Sequence, residues 1–289
     1  MTSTKEDIEI SYSLSNEFFE LWLDKNMHYT SAFYEYEGQS LEDAQEAKSR
    51  ALYDYAELNA TKTVLDIGCG WGSNLDYIHR RGIKEAHGVT LSSEQAKWTS
   101  DRNLPNVKVF ENDYALHKPE QPYDALVSIE MVDHVVSPAQ ANQGLAVELY
   151  RKYFNNCAAL VKPGGLFAFQ SILRNRVPRN RKDLEDLKFT ADVIFPGGLN
   201  ARLEELVMAV NPSWEIIEMR TQRVHYGKTT AEWLRRLQMH EAKIRETWGD
   251  QVYIDYERYL VTCVKAFANH WSSHVRMKLR NIVIGNDPL

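Results

Sequence analysis

The chain has 289 residues, 44% of them hydrophobic and 26% charged, with a formal net charge of −6. That composition fits a globular domain able to bury its own core without disulfide or metal staples, and the acidic balance argues against a nucleic-acid or anionic-membrane partner held by bulk electrostatics. Cys69, Cys157 and Cys263 are odd in number and widely spaced, no apolar run reaches bilayer length and the start of the chain is polar, so a cytoplasmic protein with reduced thiols and no metal site is expected.

In chain order, residues 1–10 read as a polar tail and 16–24 as a short amphipathic helix, followed by an aromatic and hydroxyl-rich loop at 27–34. Ser40 is placed to cap a second helix whose apolar face is Ala44, Ala47, Ala51, Tyr55 and Leu58. From residue 61 strand and helix patterns alternate: a strand closing at Ile67, a helix over 73–81, a strand at 86–89, a helix over 92–103 with Ser92 and Gln95 spaced as a capping box, strands at 107–110 and 124–129, a long helix over 143–161 and a strand at 166–172. This order implies a parallel sheet with right-handed crossovers. Beyond it lie a basic run (Arg174, Arg176, Arg179, Arg181, Lys182), a helix at 204–210, a strand at 214–219, helices within 226–248 and 253–270, and a last edge strand at 275–283. The expected organisation is a single domain, with N-terminal helices at 1–60, a core at 61–172, a cap at 173–210 and a completing segment at 211–289; Met208 and the Trp residues of 233–271 are expected in the core.

The stretch Val64-Leu65-Asp66-Ile67-Gly68-Cys69-Gly70-Trp71-Gly72 is a buried strand running into a glycine turn and a helix, the start of a nucleotide-cradling Rossmann-like unit. Its G-x-G-x-G spacing is neither the dinucleotide fingerprint nor a P-loop, and the second strand ends Gly88-Val89-Thr90-Leu91-Ser92 without the acid that holds an NAD ribose. Ser128 to His134 puts Glu130, Asp133 and His134 at the end of the fourth strand, where open α/β sheets place ligands, and three ionisable groups in five residues there point to chemistry.

These residues carry a resemblance that covers nearly the whole chain. Tyr29-Thr30-Ser31-Ala32-Phe33, the helix Leu41 to Lys48 (LEDAQEAK), Leu65 to Gly72 (LDIGCGWG), Gly88 to Gln95 (GVTLSSEQ), Phe195-Pro196-Gly197-Gly198 and His225-Tyr226, in that order, resemble the cyclopropane fatty acid synthase family of S-adenosylmethionine-dependent methyltransferases. The resemblance implies a Rossmann-like class I methyltransferase, an α/β fold with a mostly parallel doubly wound sheet, an N-terminal helical segment and a helical cap. It implies that Tyr29, Thr30, Gly68 and Gly70 hold the methionine part of S-adenosyl-L-methionine, that Leu91 and Gln95 run along its ribose and adenine, that Asp113 and Tyr114 face the adenine edge, and that Asp66, Thr90 and Ile129 belong to the same set.

On the acceptor side, cyclopropane synthases hold a bicarbonate with a Cys, a Glu, a His and a Tyr. The matching positions are Ser31, Asp133, Gln170 and Tyr226, so the Tyr alone is kept. Typical synthases carry Gly where this chain has Glu130, and Ser128-Ile129-Glu130-Met131-Val132-Asp133-His134 instead resembles the coclaurine N-methyltransferase branch, in which two acids and a His bind and deprotonate an amine. The expected activity is methyl transfer to nitrogen or carbon of a small-molecule or lipid-like acceptor, with Glu130, Asp133, His134, Tyr226, Ser31 and Gln170 at the reacting centre. The alternatives are cyclopropane formation or methyl branching on an unsaturated acyl chain, and a non-catalytic cofactor-binding partner. Phe33, Tyr34, Phe195 and Tyr226 suit either cation–π contact with an amine or an apolar wall for an alkene. The basic run suits a substrate phosphate or carboxylate, or a solvated face; oligomerisation is left open.

Overall fold

A computed structural model describes residues 14–283; the polar tail expected at 1–10 lies outside the described residues. After a short helix α1 (Asn16–Glu20) and the aromatic loop, α2 (Leu41–Tyr55) starts at Ser40, whose side chain accepts the amide of Asp43. Then come β1 (Thr63–Ile67), α3 (Ser73–Arg80), β2 (Glu85–Thr90), α4 (Ser93–Asp101), β3 (Val107–Glu111) and β4 (Tyr123–Ile129). Ser92 caps α4 through the amide of Gln95, yet the Gln95 Oε1 does not close the expected box: it accepts the hydroxyl of Thr90 at 2.9 Å. The long helix read at 143–161 is α6 (Ala146–Leu160); a separate short helix, α5 (Pro138–Asn142), precedes it, and Gly144 takes a left-handed φ of 77° between the two.

β5 (Val161–Arg174) leads into the cap, α7 (Arg181–Phe189) with a wider turn over Thr190–Ile194. α8 (Leu203–Val210), β6 (Trp214–Thr221), α9 (Arg223–Met239), α10 (Glu241–Trp248), α11 (Asp250–Ala268) and β7 (Ser272–Asn281) follow. Among the described residues the sheet has seven strands in the order β3-β2-β1-β4-β5-β7-β6. β1 to β5 pair in parallel, and β7 runs antiparallel to both β5 and β6. The last strand is therefore internal rather than the expected edge: it inserts between β5 and β6, and β6 takes the edge. Met208 is a second correction, exposed on α8 instead of buried, since that helix turns Leu206 and Ala209 inward. No described helix is long and apolar enough to cross a membrane.

Two cores flank the site. One, with Phe154, Phe167, Phe169 and Trp214, packs α6 and α8 on the sheet. The other joins the N- and C-terminal helices through Phe18, Phe19, Trp22, Trp233 and Tyr256. In it the Trp22 ring lies 5.8 Å from Trp233 and 5.1 Å from Tyr29, both edge-on, so the turn after α1 ties the aromatic loop to α9.

Candidate active site

Two cavities meet at the carboxyl ends of β1 and β4. The first, about 140 Å³, is walled by the glycine turn, the loop after β2 and the aromatic loop. Tyr29, Thr30, Asp66, Gly68, Gly70, Thr90, Leu91, Gln95, Tyr114 and Ile129 line it. Asp113 stands off this wall, its carboxylate accepting the amide of Ala115 at 2.9 Å, and Asn112 lines it instead.

Whether these residues fit an aminoacyl sulfonium cofactor is tested by what the wall leaves unmet. Gly70 has a φ of 55°, and a Cβ there would meet nothing, so the turn opens on the cavity. Asp66 is buried, and while Oδ2 accepts the Asn74 amide at 3.0 Å, Asp66 Oδ1 and Asn74 Oδ1 have no hydrogen-bond partner. Two unmet acceptors on one wall suit an ammonium group. Lys48, fully buried in α2 and donating to Thr30 Oγ1 at 2.9 Å, lines the same cavity and suits a carboxylate. Burial pushes the Asp66 carboxyl up to about 6 and the Lys48 ammonium down to about 8. The residues fit: Asp66, Asn74 and Lys48 would hold the two charged ends of the amino acid. Lys48 and Asn74 were not singled out from the sequence, because a Lys within an amphipathic helix reads as solvated.

The second cavity, about 350 Å³ and mostly apolar, lies under the cap among β5, α7, α9 and α11. Asp133, Tyr226, Phe195, Arg174 and Arg176 line it, and Tyr29, Glu130 and His134 line both cavities. Those three form the wall that the two cavities share. Arg174 is engaged by Glu205 at 2.6 Å. Phe33 and Tyr34 face the protein's own cations, Arg276 at 4.9 Å and Lys228 at 5.5 Å, and line neither cavity.

Glu130 is the centre of this arrangement. Its Oε1 accepts the Ser31 amide at 3.0 Å, the Gln170 Nε2 at 3.0 Å and the His274 Nε2 at 3.2 Å, and its Oε2 accepts the Tyr226 hydroxyl at 2.7 Å. Burial alone would raise its pKa, but the bonds from His274, Tyr226 and the Ser31 amide overcome that and hold it below the usual carboxylate range. Its φ of 56° is a left-handed conformation that favours glycine. Ser31 contributes its amide, while its hydroxyl turns away to the Ala32 carbonyl. Gln170 is oriented by Arg276, whose guanidinium donates to Gln170 Oε1 at 3.2 Å. Asp133 stands apart: it accepts the Ser171 hydroxyl at 3.2 Å, and burial beside the Glu130 charge raises its pKa well above the usual carboxylate range. Of the four positions expected around an anion, Ser31, Gln170 and Tyr226 converge on the Glu130 carboxylate. His274 and Arg276, on β7, were not foreseen; the alternation His274, Arg276, Lys278, Arg280 reads as a solvent face.

Known proteins resemble this chain along nearly its whole length. The sequence profile described as "Mycolic acid cyclopropane synthetase" matches residues 1–277. The chain is 27% identical over 280 residues to the methoxy mycolic acid synthase MmaA3 of Mycobacterium tuberculosis, covering 92% of this chain and 91% of that one. It is 32% identical over 259 residues to the probable fatty acid methyltransferase Rv3720 of the same organism, covering 87% of this chain and 55% of that one. Among solved structures, the cyclopropane synthase MmaA2 from M. tuberculosis superposes with a TM-score of 0.88 at 25% identity, over 97% of this chain and 99% of that chain. A coclaurine N-methyltransferase bound to N-methylheliamine and SAH superposes at 0.77 with 18% identity, over 93% and 80% of the two chains, a likeness of fold. A glycine-turn cavity fitted to an aminoacyl sulfonium and a match along nearly the full length agree, and the chain belongs to the mycolic acid cyclopropane synthetase family of S-adenosylmethionine-dependent methyltransferases.

Proposed function

We propose that this enzyme methylates a carbon of an unsaturated, lipid-like acceptor, with the Glu130 side chain serving as a built-in carboxylate where cyclopropane synthases use bicarbonate. The observation that carries this reading is the position of the Glu130 carboxylate on the Ser31 amide, Gln170 and Tyr226, three of the four positions that match the bicarbonate holders. Bound S-adenosylmethionine supplies a methyl group already activated on a sulfonium. The chain's own residues do the rest. Phe195, Tyr226 and the cap hold an apolar acceptor and exclude water. Glu130, ionised and fixed by four donors, offsets the positive charge that develops on the methylated carbon. Oε1 accepts three donors and Oε2 accepts from Tyr226, which leaves Oε2 the oxygen able to face that charge. His134, which reaches both cavities, takes the proton whose loss leaves a cyclopropane or methylene product. Asp133, whose pKa burial beside Glu130 raises, accepts the Ser171 hydroxyl on the wall of the second cavity. The names of the relatives, fatty acid and mycolic acid synthases, support a lipid-like acceptor.

A second reading, N-methylation of an amine, draws on the same fixed anion, which would pair with a cationic amine. Arg174 and Arg176 on the cavity wall disfavour it.

The test offers the purified enzyme unsaturated acyl lipids and apolar amines, with and without bicarbonate, and measures S-adenosylhomocysteine release and product mass. The expected result is turnover on unsaturated acyl lipids that bicarbonate depletion leaves unchanged. Glu130→Gly is expected to lower kcat by about 10²-fold or more, the cost of removing a preorganised electrostatic group, and to regain part of it when bicarbonate is added. Turnover on amines alone, or wild-type turnover that collapses without bicarbonate, would sink the proposal.

A further inference from the structure

In the synthases that this chain resembles, an imidazole stands at the fifth strand. Here that position, Gln170, carries an amide. An imidazole nevertheless reaches the same carboxylate from the neighbouring strand. β7 pairs antiparallel with β5 in a register that sets Arg276 opposite Gln170 and His274 opposite Ile172. From there the His274 Nε2 lies 3.2 Å from Glu130 Oε1 and Arg276 orients the Gln170 amide toward the same oxygen. His274 is 1% exposed and lines neither cavity, so whatever it does to the reaction passes through Glu130.

Its protonation state follows from its other nitrogen. Nδ1 is buried without a hydrogen-bond partner. A protonated ring would leave an N–H donor unmet there, which costs more than leaving an acceptor lone pair bare. The charged groups around the ring are Glu130, Arg276 and Lys48; burial and the two cations hold its pKa below the usual histidine range despite the carboxylate. The ring is therefore a neutral Nε2–H donor. It fixes Glu130 without neutralising it, which a protonated histidine paired with the same carboxylate would do.

The Glu130 backbone gives this support its purpose. With a left-handed φ of 56°, the residue is held in a strained conformation by its surroundings. The Ser31 amide, Gln170 and His274 all bind Oε1, and Tyr226 alone binds Oε2. Three donors on one oxygen set the rotation of the carboxylate and determine which oxygen faces the acceptor.

We propose that His274 is a positioning residue of the methyl-transfer site: as a neutral donor from β7 it pins Glu130 Oε1 and so turns Oε2 toward the acceptor, taking over from the adjacent strand the place that an imidazole on β5 holds in the synthases. This rests on the reading of Glu130 given above.

The test compares His274→Leu and His274→Gln with the wild type and repeats His274→Leu in a Glu130→Gln background. It records kcat, KM for the acceptor, the pH profile of kcat/KM, the dissociation constant of S-adenosylhomocysteine and the thermal midpoint. In His274→Leu, kcat is expected to fall roughly tenfold or more, with cofactor affinity within about twofold of wild type, since the ring lines no cavity. The acid limb of the profile is expected to move to higher pH: a carboxylate that loses a donor is protonated more easily, and activity is then lost earlier as the pH falls. His274→Gln, which keeps an N–H donor, is expected to restore most of both quantities, and in the Glu130→Gln background His274→Leu is expected to cost little more. Should His274→Leu not fold, His274→Gln and the shorter His274→Asn carry the comparison, the first active and the second impaired. A normal kcat with an unmoved acid limb in His274→Leu, alongside an impaired Glu130→Gln, overturns this inference alone. Full turnover by Glu130→Gln overturns the reading of Glu130 and this inference together. A lowered thermal midpoint with no change in the pH profile reduces His274 to a structural residue and likewise overturns it.

Discussion

Asp66 and Lys48 bring opposite charges to one buried wall, and burial draws their titrations toward each other, to about 6 and about 8. Below the first value Asp66 takes up a proton and loses the charge that meets an ammonium. Above the second Lys48 gives one up and loses the charge that meets a carboxylate. The dissociation constant of S-adenosylhomocysteine is therefore expected to be lowest between about pH 6 and about pH 8 and to rise on both sides, as titration calorimetry across that range would show. A profile that stays flat through both values would contradict the assignment. Most of the residues that line the first cavity were legible in the sequence because the glycine turn and the Thr90-Leu91-Ser92 loop are contiguous motifs. Lys48 was not, since its place in a helix gives no sign that the aromatic loop closes over it. The Glu130 cluster was half legible: Ser31, Gln170 and Tyr226 came from matched positions, whereas His274 lies 144 residues away on a strand whose alternating polar residues read as solvated.

At the scale of elements, α1 contributes only five residues, and its hold on the molecule comes from side chains rather than helix propensity. Phe18 and Phe19 of α1, with Trp22 in the turn that follows it, are wholly buried against rings from α9, α10 and α11. Trp22→Ala is expected to cost about 3–5 kcal/mol, seen as a lower urea midpoint with an unchanged slope. Because Trp22 also touches Tyr29, acceptor binding is expected to weaken with it. Trp22→Phe is expected to cost much less: the Trp22 Nε1 has no hydrogen-bond partner, so the indole works there through its area. A Trp22→Phe variant as unstable as Trp22→Ala would refute this. The sequence marked this helix and its aromatics but not their partners, because contacts between chain ends leave no local period.

Over the whole molecule, the parallel half of the sheet was readable from the alternation of strand and helix, while the antiparallel half was not. β7 reads as an edge because four of its residues carry His, Arg or Lys; inside the protein Arg276 is buried over the Phe33 ring and bonded to Gln170, and His274 to Glu130. Burial at such a strand depends on partners that only the tertiary fold supplies. In the sheet, β6 has β7 as its single neighbouring strand. Its amides are therefore expected to lose protection together with those of β7 in native-state hydrogen exchange, as one cooperative unit, with β1 and β4 opening later. Independent opening of β6 while β7 stays protected would argue against that coupling.

The insertion of β7 between two earlier strands also has a consequence in time. A polypeptide emerging from its ribosome presents β1 to β5, with the glycine turn and Glu130, before residues 272–281 exist as a folded neighbour. Until then the Glu130 carboxylate lacks the His274 donor and the Arg276 that orients Gln170, and β6 has no place to dock. On the proposed role of Glu130, the residues walling the first cavity all precede β7 in the chain, whereas the set of donors that fixes the carboxylate is complete only once the seventh strand has taken its place between β5 and β6.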